Sequence, residues 1–237
     1  MRTGVIFNDV YTEVMTDNSG RNSHLQKDES ISSYFSDGEY KHFKNGDTVI
    51  NGFDEPDGVY LIKEGFVKSW STSQDGHANL LLILEAGELM PLPWALEGYH
   101  VTGLFYEAMS DVIVMRTSRD KLRIMMGNNM WLTQEILSQA VNVIAIYTQR
   151  IQILEFRSAR GRVIAEMLFL AQRFGKTVGD EILIEAPITH QDIADSINMN
   201  RETASRALED LINGGFISQT NHVFTVRDPK RLHDALS

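Results

Sequence analysis

Short runs of β-forming residues, separated by glycine-containing turns, occupy the chain from about residue 43 to residue 117. Within one run, residues 66–71 alternate apolar and polar side chains, as a strand with one buried face does. Turn signals recur about every 8–12 residues, which is typical of an antiparallel sandwich or barrel. We therefore predict a compact antiparallel β domain with strands at 48–50, 58–62, 66–73, 79–84 and 111–117.

The apolar pattern changes to a helical period after residue 127. Residues 128–160 include neither glycine nor proline. If residues 130–157 are all helical, the rod is about 42 Å long at 1.5 Å per residue. Six of its apolar residues follow the 3-4-3-4-3 spacing of a coiled-coil seam: Leu137, Ala140, Ile144, Tyr147, Ile151 and Leu154.

Further apolar residues of this helix lie outside the seam: Val141, Val143, Ile146 and Ile153. More than one face of the helix must therefore be covered. We expect the helix to pack both on the β domain and on a second copy of itself. The alternative is an amphipathic helix that lies on its own β domain alone.

The last 80 residues alternate helical stretches with short strands. The pattern predicts a helix over 162–174, a break at 175–179 and a strand at 181–184. Two helices follow, and then a strand–turn–strand unit formed by residues 214–218 and 223–226.

The two helices of this last segment are joined by a tight turn. Thr189, three residues before Asp192, forms the weaker acidic version of an N-terminal capping box. Asn198 suits a left-handed helix end, and Asn200 is a good N-cap for the second helix, 201–212. Two short helices with such a turn predict a helix-turn-helix.

Long polar side chains share the outer face at the start of the second helix: Arg201, Glu202, Ser205 and Arg206. Arginine can donate two hydrogen bonds to guanine, and glutamate can accept from cytosine, so this face suits base reading in the major groove. The alternative is that Glu202 and Arg206 form only a surface ion pair, four residues apart.

Composition narrows the classes of protein. The chain has 237 residues, 43% of them apolar, and no cysteine, so disulfides and cysteine-ligated metal centres are excluded. The net charge is −10, but residues 158–237 are nearly balanced, with 9 Lys and Arg against 11 Asp and Glu. A local basic face there remains compatible with DNA. No apolar run is long enough for a membrane span, and we expect a cytoplasmic protein.

Three passages resemble the CRP/FNR family of bacterial transcription regulators. Residues 58–68 are similar to the family's central β-roll signature, and residues 86–89 to the turn that enters its effector pocket. Residues 201–206 combine the Arg-Glu-Thr of the catabolite-activator branch with the Glu-x-x-Ser-Arg of the fumarate–nitrate-regulator branch.

The resemblance implies an α+β fold with an N-terminal antiparallel β-roll, a cyclic-nucleotide-binding-like jelly roll, then a long dimerisation helix and a C-terminal winged helix-turn-helix. We expect a poorly ordered or partly helical lead-in at 1–30, the β-roll at 31–127, the dimerisation helix at 128–157 and the DNA-binding domain at 158–237.

The resemblance also assigns roles to residues. Bases would be read by Arg201, Glu202, Ser205 and Arg206, and phosphates contacted by Thr189, His190, Gln191 and Thr203. The expected partners are double-stranded DNA with an inverted-repeat operator, a second copy of the chain, and RNA polymerase. The chain departs from the family at His190, where the catabolite activator has arginine, and at Asn198, where glycine is usual.

The effector of the β-roll is not identified by the sequence. Tyr106 and Glu107 occupy the place of the arginine and hydroxyl residue that hold the phosphate of a cyclic nucleotide, so we do not expect cyclic AMP or cyclic GMP. Haem would need a histidine ligand, and the isolated His42, His77 and His100 do not favour one. We expect no cofactor and no metal. An effector pocket, if present, would involve Glu88, Trp94 and Tyr106.

Two other classes of protein compete with a transcription regulator. The first is a cupin-like metal enzyme on a small β barrel, which needs clustered histidines. The second is a cyclic-nucleotide-binding regulatory protein without DNA activity, which the helix-turn-helix disfavours. The sequence has no G-x-S-x-G, P-loop or dinucleotide fingerprint, and we expect no enzymatic activity.

Overall fold

The computed structural model describes residues 30–73, 76–220 and 223–236, and the fold is α+β, as predicted. An antiparallel β domain comes first, a long helix follows it, and a smaller domain of helices and short strands completes the described chain. The lead-in predicted for residues 1–30 lies outside the described residues, except for Ser30.

Two four-stranded antiparallel sheets build the β domain, in the orders β1-β8-β3-β6 and β2-β7-β4-β5. Their strands are β1 (Glu39–Phe43), β2 (Thr48–Ile50), β3 (Val59–Glu64), β4 (Val67–Thr72), β5 (Ala78–Leu84), β6 (Leu89–Met90), β7 (Leu104–Ala108) and β8 (Val112–Thr117). Strand β3 is buried on both faces. Tyr60 and Ile62 belong to the main core, while Val59 and Leu61 pack in a second cluster with residues of the helices.

Three strands and two helices of this domain go beyond the prediction. Strand β1 lies at a sheet edge and is mostly exposed, and β6 has only two residues, so neither shows a clear alternation. Strand β7 begins with three consecutive apolar residues, which have no strand period. The helices are α1 (Leu92–Glu97) and α2 (Arg119–Asn128), and the Ser118 side chain caps α2 by accepting from the Lys121 amide.

The long helix α3 spans Met130–Glu155, close to the predicted 130–157. Asn129 caps its start, and its side chain accepts from the Leu132 amide at 2.8 Å. One face is buried against the rest of its own chain through Leu132, Ile136, Ile146, Arg150 and Ile153. The helix ends at Glu155, and the next residue, Phe156, has an extended backbone.

The C-terminal domain packs four helices on a four-stranded antiparallel sheet of order β11-β12-β10-β9. Its elements are α4 (Ala159–Phe174), β9 (Gly175–Val178), β10 (Glu181–Ile184), α5 (His190–Ser196), α6 (Arg201–Asn213), β11 (Ile217–Thr220), β12 (Val223–Val226) and α7 (Pro229–Asp234).

Residues 175–178 form a strand where the sequence predicts only a break. Helix α4 passes directly into β9 at Gly175, and a Cβ there would overlap the carbonyl oxygen of Ala171. Glycine therefore permits the sharp change of direction, and β9 then pairs with β10. The sequence did not predict this strand because Gly175 and Lys176 have low intrinsic strand preference.

The two domains and α3 share one continuous apolar core that extends from Val49 of the β domain to Leu232 of α7. The described helices include none that is both long enough and apolar enough to cross a membrane. Because the apolar core is continuous between the domains, the position of α5 and α6 relative to the β domain is set by packing as well as by chain connectivity.

Candidate nucleic-acid interface

The capping box at the start of α5 is present in full. The Thr189 hydroxyl accepts from the Asp192 amide at 3.1 Å, and the Asp192 carboxylate accepts from the Thr189 amide at 2.9 Å. Ile193, Ala194 and Ile197 are buried, which anchors α5 to the core. The reciprocal hydrogen bonds satisfy backbone donors that a helix start leaves unpaired.

The turn between α5 and α6 has the predicted chemistry. Asn198 has φ of 50°, the left-handed conformation that asparagine tolerates better than most residues. The Asn200 side chain accepts from the Thr203 amide at 2.9 Å and caps α6. The turn thus directs α6 across α5, as in a helix-turn-helix.

Helix α6 buries Ala204, Leu208 and Leu211 and leaves its opposite face open. On that face Arg201, Glu202 and Arg206 are exposed, and Ser205 is half-buried. The four residues predicted to read bases therefore lie together at the start of one helix.

Glu202 and Arg206 do not form an ion pair in the described structure. Instead Arg206 donates through Nε to the Glu202 carbonyl oxygen at 3.2 Å and through Nη2 to Thr203 Oγ1 at 3.4 Å. The guanidinium is positioned by the backbone and still has N–H groups left over. The structure therefore does not have the Glu202–Arg206 ion pair that the alternative interpretation predicts.

Some of the residues predicted to contact phosphate are exposed to solvent, and others already hydrogen-bond to neighbouring side chains. Thr189 and Gln191 are exposed at the start of α5, and Gln191 Nε2 donates to Asp195 Oδ1 at 2.6 Å. Thr203 is half-buried at the start of α6. His190 has both ring nitrogens within hydrogen-bond distance of neighbouring side chains, so a phosphate contact would require one to be released.

A lysine of the β domain contacts the helix-turn-helix, and the sequence showed no sign of it. Lys68 of β4 lies 3.0 Å from Asp192 Oδ1 and 3.1 Å from Glu107 Oε1. Burial opposes the charge on Lys68, but the two carboxylates outweigh it and raise the pKa of Lys68. The lysine partly neutralises the acidic residue next to the expected phosphate contacts.

The predicted dimerisation seam is open. Leu137, Ile144 and Ile151 are 59%, 65% and 63% exposed, although all three are large and apolar. Tyr147 and Leu154 are also exposed, and Ala140 is half-buried. Val141, which flanks the seam, is exposed as well. The face of α3 opposite its own domain is therefore an uncovered apolar stripe.

The three residues predicted for an effector pocket do not come together. Trp94 and Tyr106 line a cavity of the β domain with Pro91, His100 and Leu104. Glu88 lies elsewhere, because its carboxylate accepts from Arg173 Nη2 of α4 at 2.9 Å and 3.1 Å. Burial lowers the pKa of Arg173, and Glu88 acts against that shift. Glu88 therefore does not line this cavity, and Arg173 holds it at the boundary between the domains.

Glu107, which the sequence places against the phosphate of a cyclic nucleotide, does not line this cavity. The Glu107 carboxylate pairs with Lys68, on the opposite face of β7 from Tyr106, and so does not face the cavity. However, neither lysine nor arginine lines the cavity among the described residues. The missing feature is a cation for the phosphate. Within the described ranges no group of three or more histidine and acidic residues could hold a metal.

Comparisons with known proteins agree with this two-domain arrangement. A cyclic nucleotide-binding domain model matches residues 40–129, and a Crp-like helix-turn-helix domain model matches residues 161–235. Over 197 residues the chain is 26% identical to the CRP-like cAMP-activated global transcriptional regulator of Mycobacterium tuberculosis, which covers 80% of this chain and 84% of that protein. It is 24% identical over 191 residues to the nitrogen fixation regulation protein FixK of Bradyrhizobium diazoefficiens, with 81% and 79% covered.

Solved structures share the fold. The structure of FixK2 from Bradyrhizobium japonicum has a TM-score of 0.70 at 22% identity and covers 83% of this chain and 96% of its own. A CooA mutant from Carboxydothermus hydrogenoformans has a TM-score of 0.72 at 19% identity, with 90% and 98% covered. With a domain of the cyclic nucleotide-binding type followed by a Crp-like helix-turn-helix, the chain belongs to the CRP/FNR family of transcription regulators.

Proposed function

We propose that the chain is a homodimeric regulator that binds an inverted-repeat operator through helix α6. The observation that carries the proposal is the outer face at the start of α6, formed by Arg201, Glu202, Ser205 and Arg206, while the opposite face of the helix is buried through Ala204, Leu208 and Leu211. A second copy of the chain presents a second such helix, and a twofold dimer then matches half-sites whose centres are about 34–36 Å apart.

The dimer forms through the seam of α3. Large apolar side chains exposed in a row are typical of an interaction site, and their heptad spacing suits a second identical helix. The interface residues are Leu137, Ala140, Ile144, Tyr147, Ile151 and Leu154.

Each base-reading residue has a definite chemistry. Arg206 donates to a guanine, and Glu202 accepts from a cytosine at that base pair or its neighbour. Arg201 and Ser205 read adjacent positions. Thr189, Gln191 and Thr203 contact phosphates, which fixes the position of α6 without specifying sequence. His190 is left out of this set, because both of its ring nitrogens are engaged by neighbouring side chains.

The effector is neither a cyclic nucleotide nor haem. The cavity behind Trp94 and Tyr106 offers aromatic rings and prolines, and burial raises the pKa of the Tyr106 hydroxyl, which keeps it neutral. With neither lysine nor arginine among its described lining residues, the cavity offers no positive charge to pair with a phosphate. We further propose RNA polymerase as a partner and the cytoplasm as the location, and we assign no enzymatic activity.

The test is an unbiased selection of bound sequences from random DNA with the purified protein. We expect an inverted repeat with one invariant G·C pair in each half-site. Arg206→Ala should cost about 1–3 kcal/mol per half-site and relax the preference at that guanine alone. Repeating the selection with millimolar cyclic AMP should return the same sequences at the same affinity.

Gln191→Ala is the matched control, because Gln191 is exposed near α6 but contacts none of the base-reading residues in the described structure. It should weaken all sequences about equally. If Arg206→Ala weakens the selected operator and random DNA by the same factor, Arg206 contributes charge only and the base-reading assignment is wrong.

A further inference from the structure

His190, the first residue of α5, is held between three elements of the DNA-binding domain. Its Nδ1 lies 2.9 Å from Ser205 Oγ on α6, and its Nε2 lies 3.1 Å from Gln219 Oε1 on β11. The imidazole also stacks on Phe224 of β12, with ring centroids 5.8 Å apart. The ring is therefore fixed in place and in orientation.

The partners of the two nitrogens decide where the protons lie. Gln219 Oε1 can only accept, so Nε2 carries the hydrogen and donates to it. A neutral imidazole then has a lone pair on Nδ1, and the Ser205 hydroxyl must donate its single proton there. Ser205 is left with lone pairs alone for any other partner.

This constraint removes a choice that serine otherwise has. A free hydroxyl can donate to or accept from a base edge, so serine ordinarily reads several bases. A hydroxyl whose proton is committed to His190 can only accept. In the major groove the group that donates to it must be an exocyclic amino group, N6 of adenine or N4 of cytosine.

We propose that His190 is a specificity-positioning residue that makes Ser205 an acceptor-only reader of adenine or cytosine. The proposal rests on the proposed function, because α6 must lie in the major groove for Ser205 to reach a base. It predicts a base preference at one position of the half-site, which the presence of a serine at position 205 alone does not predict.

The experiment measures affinities for an operator panel with all four bases at each half-site position, at about pH 8, where an ordinary imidazole is neutral. Ser205→Ala identifies the position that Ser205 reads, since discrimination is lost there alone. At that position the wild type should bind adenine or cytosine roughly five-fold more tightly than guanine or thymine, the effect of about one hydrogen bond.

His190→Arg reverses the polarity at this site. A guanidinium only donates, so Ser205 would accept from it and regain a proton to donate to guanine or thymine. The preference for adenine or cytosine at the Ser205 position should then be lost, because the hydroxyl has both its proton and a lone pair available, while the Arg206 guanine stays invariant. A general gain in affinity from the added charge cancels when bases are compared within one variant.

His190→Phe is the second variant, and it keeps the stacking on Phe224 while removing both hydrogen bonds. It should reduce discrimination at the Ser205 position to less than about two-fold, because the freed hydroxyl can donate or accept. Thermal melting shows that each variant is folded, and if His190→Arg is not, His190→Phe decides the matter.

Two failures are distinguishable. If the wild type binds all operators and random DNA equally, the proposed function fails. If the Arg206 guanine is kept but both His190 variants retain the wild-type preference at the Ser205 position, the role of His190 is overturned. The same follows if Ser205→Ala changes discrimination nowhere.

Discussion

Among single residues, Asp192 takes part in two interactions at once, the capping box of α5 and an ion pair with the β domain. One carboxylate oxygen completes the capping box of α5, and the other accepts from Lys68 of the β domain. Asp192 is buried, so both oxygens need partners. The start of the helix-turn-helix is thereby tied to a strand more than a hundred residues earlier in the chain.

We expect Asp192→Asn to lower the free energy of unfolding by about 1–3 kcal/mol. The asparagine amide keeps one accepting oxygen for the cap. Its uncharged NH2 group then faces the Lys68 ammonium, which loses a carboxylate partner. Urea unfolding measures the loss. In a double-mutant cycle with Lys68→Met, the two changes should cost less together than the sum of the single variants. Strict additivity would show that the ion pair contributes nothing.

At the scale of elements, helix α3 has two apolar faces with different covers. Its own domain covers Ile136, Ile146 and Ile153, while Ile144 and Ile151 are exposed. A lone chain with this helix exposes a stripe that water solvates poorly. The second face is the strongest argument for a second copy of the chain.

Ile144→Asp should convert the dimer to a monomer at micromolar concentration. Dimerisation would bury two unpaired carboxylates at the seam, and each costs several kcal/mol. Sedimentation velocity checks the mass. Asn142→Asp, at an exposed position of α3 outside the seam, adds the same charge and should remain dimeric. A wild-type chain that sediments as a stable monomer would contradict the assignment of the seam.

At the scale of the whole molecule, Arg150 connects α3 to both domains. Its Nη2 donates to the Leu80 carbonyl oxygen of β5 at 2.7 Å and to the Ser196 carbonyl oxygen of α5 at 2.9 Å. Its Nη1 lies 3.6 Å from Glu166 Oε1 of α4. One buried guanidinium of α3 thus contacts the β domain, α4 and the helix-turn-helix. Its geometry suits coupling between the domains.

Arg150→Met should destabilise the protein by about 3–5 kcal/mol, because Glu166, only 1% exposed, would keep a charge without a partner. The double variant Arg150→Met/Glu166→Leu should recover much of this loss, since an apolar pair of similar volume often replaces a buried ion pair at little cost. Urea unfolding of the three proteins provides the comparison. A single variant as stable as the wild type would mean that Glu166 finds another partner or a proton.

Features that depend on local chemistry could be predicted from the amino-acid order. The capping box of Thr189 and Asp192, the left-handed turn at Asn198 and the N-cap at Asn200 involve residues within three positions of one another, and all three are present. The long helix was also predictable, because an absence of glycine and proline and a regular apolar period are local properties. The clustering of Arg201, Glu202, Ser205 and Arg206 follows from helical spacing alone.

Contacts between residues far apart in the chain could not be predicted, because folding determines which of them meet. Glu88 was predicted for an effector pocket, yet Arg173, 85 positions later, holds it between the domains. No spacing rule predicts the contact of Lys68 with Asp192. The same holds for the contacts of His190 with Ser205 and Gln219. The physical reason is that a buried charge or hydrogen-bonding group must find a partner, and the folded core determines which one is within reach.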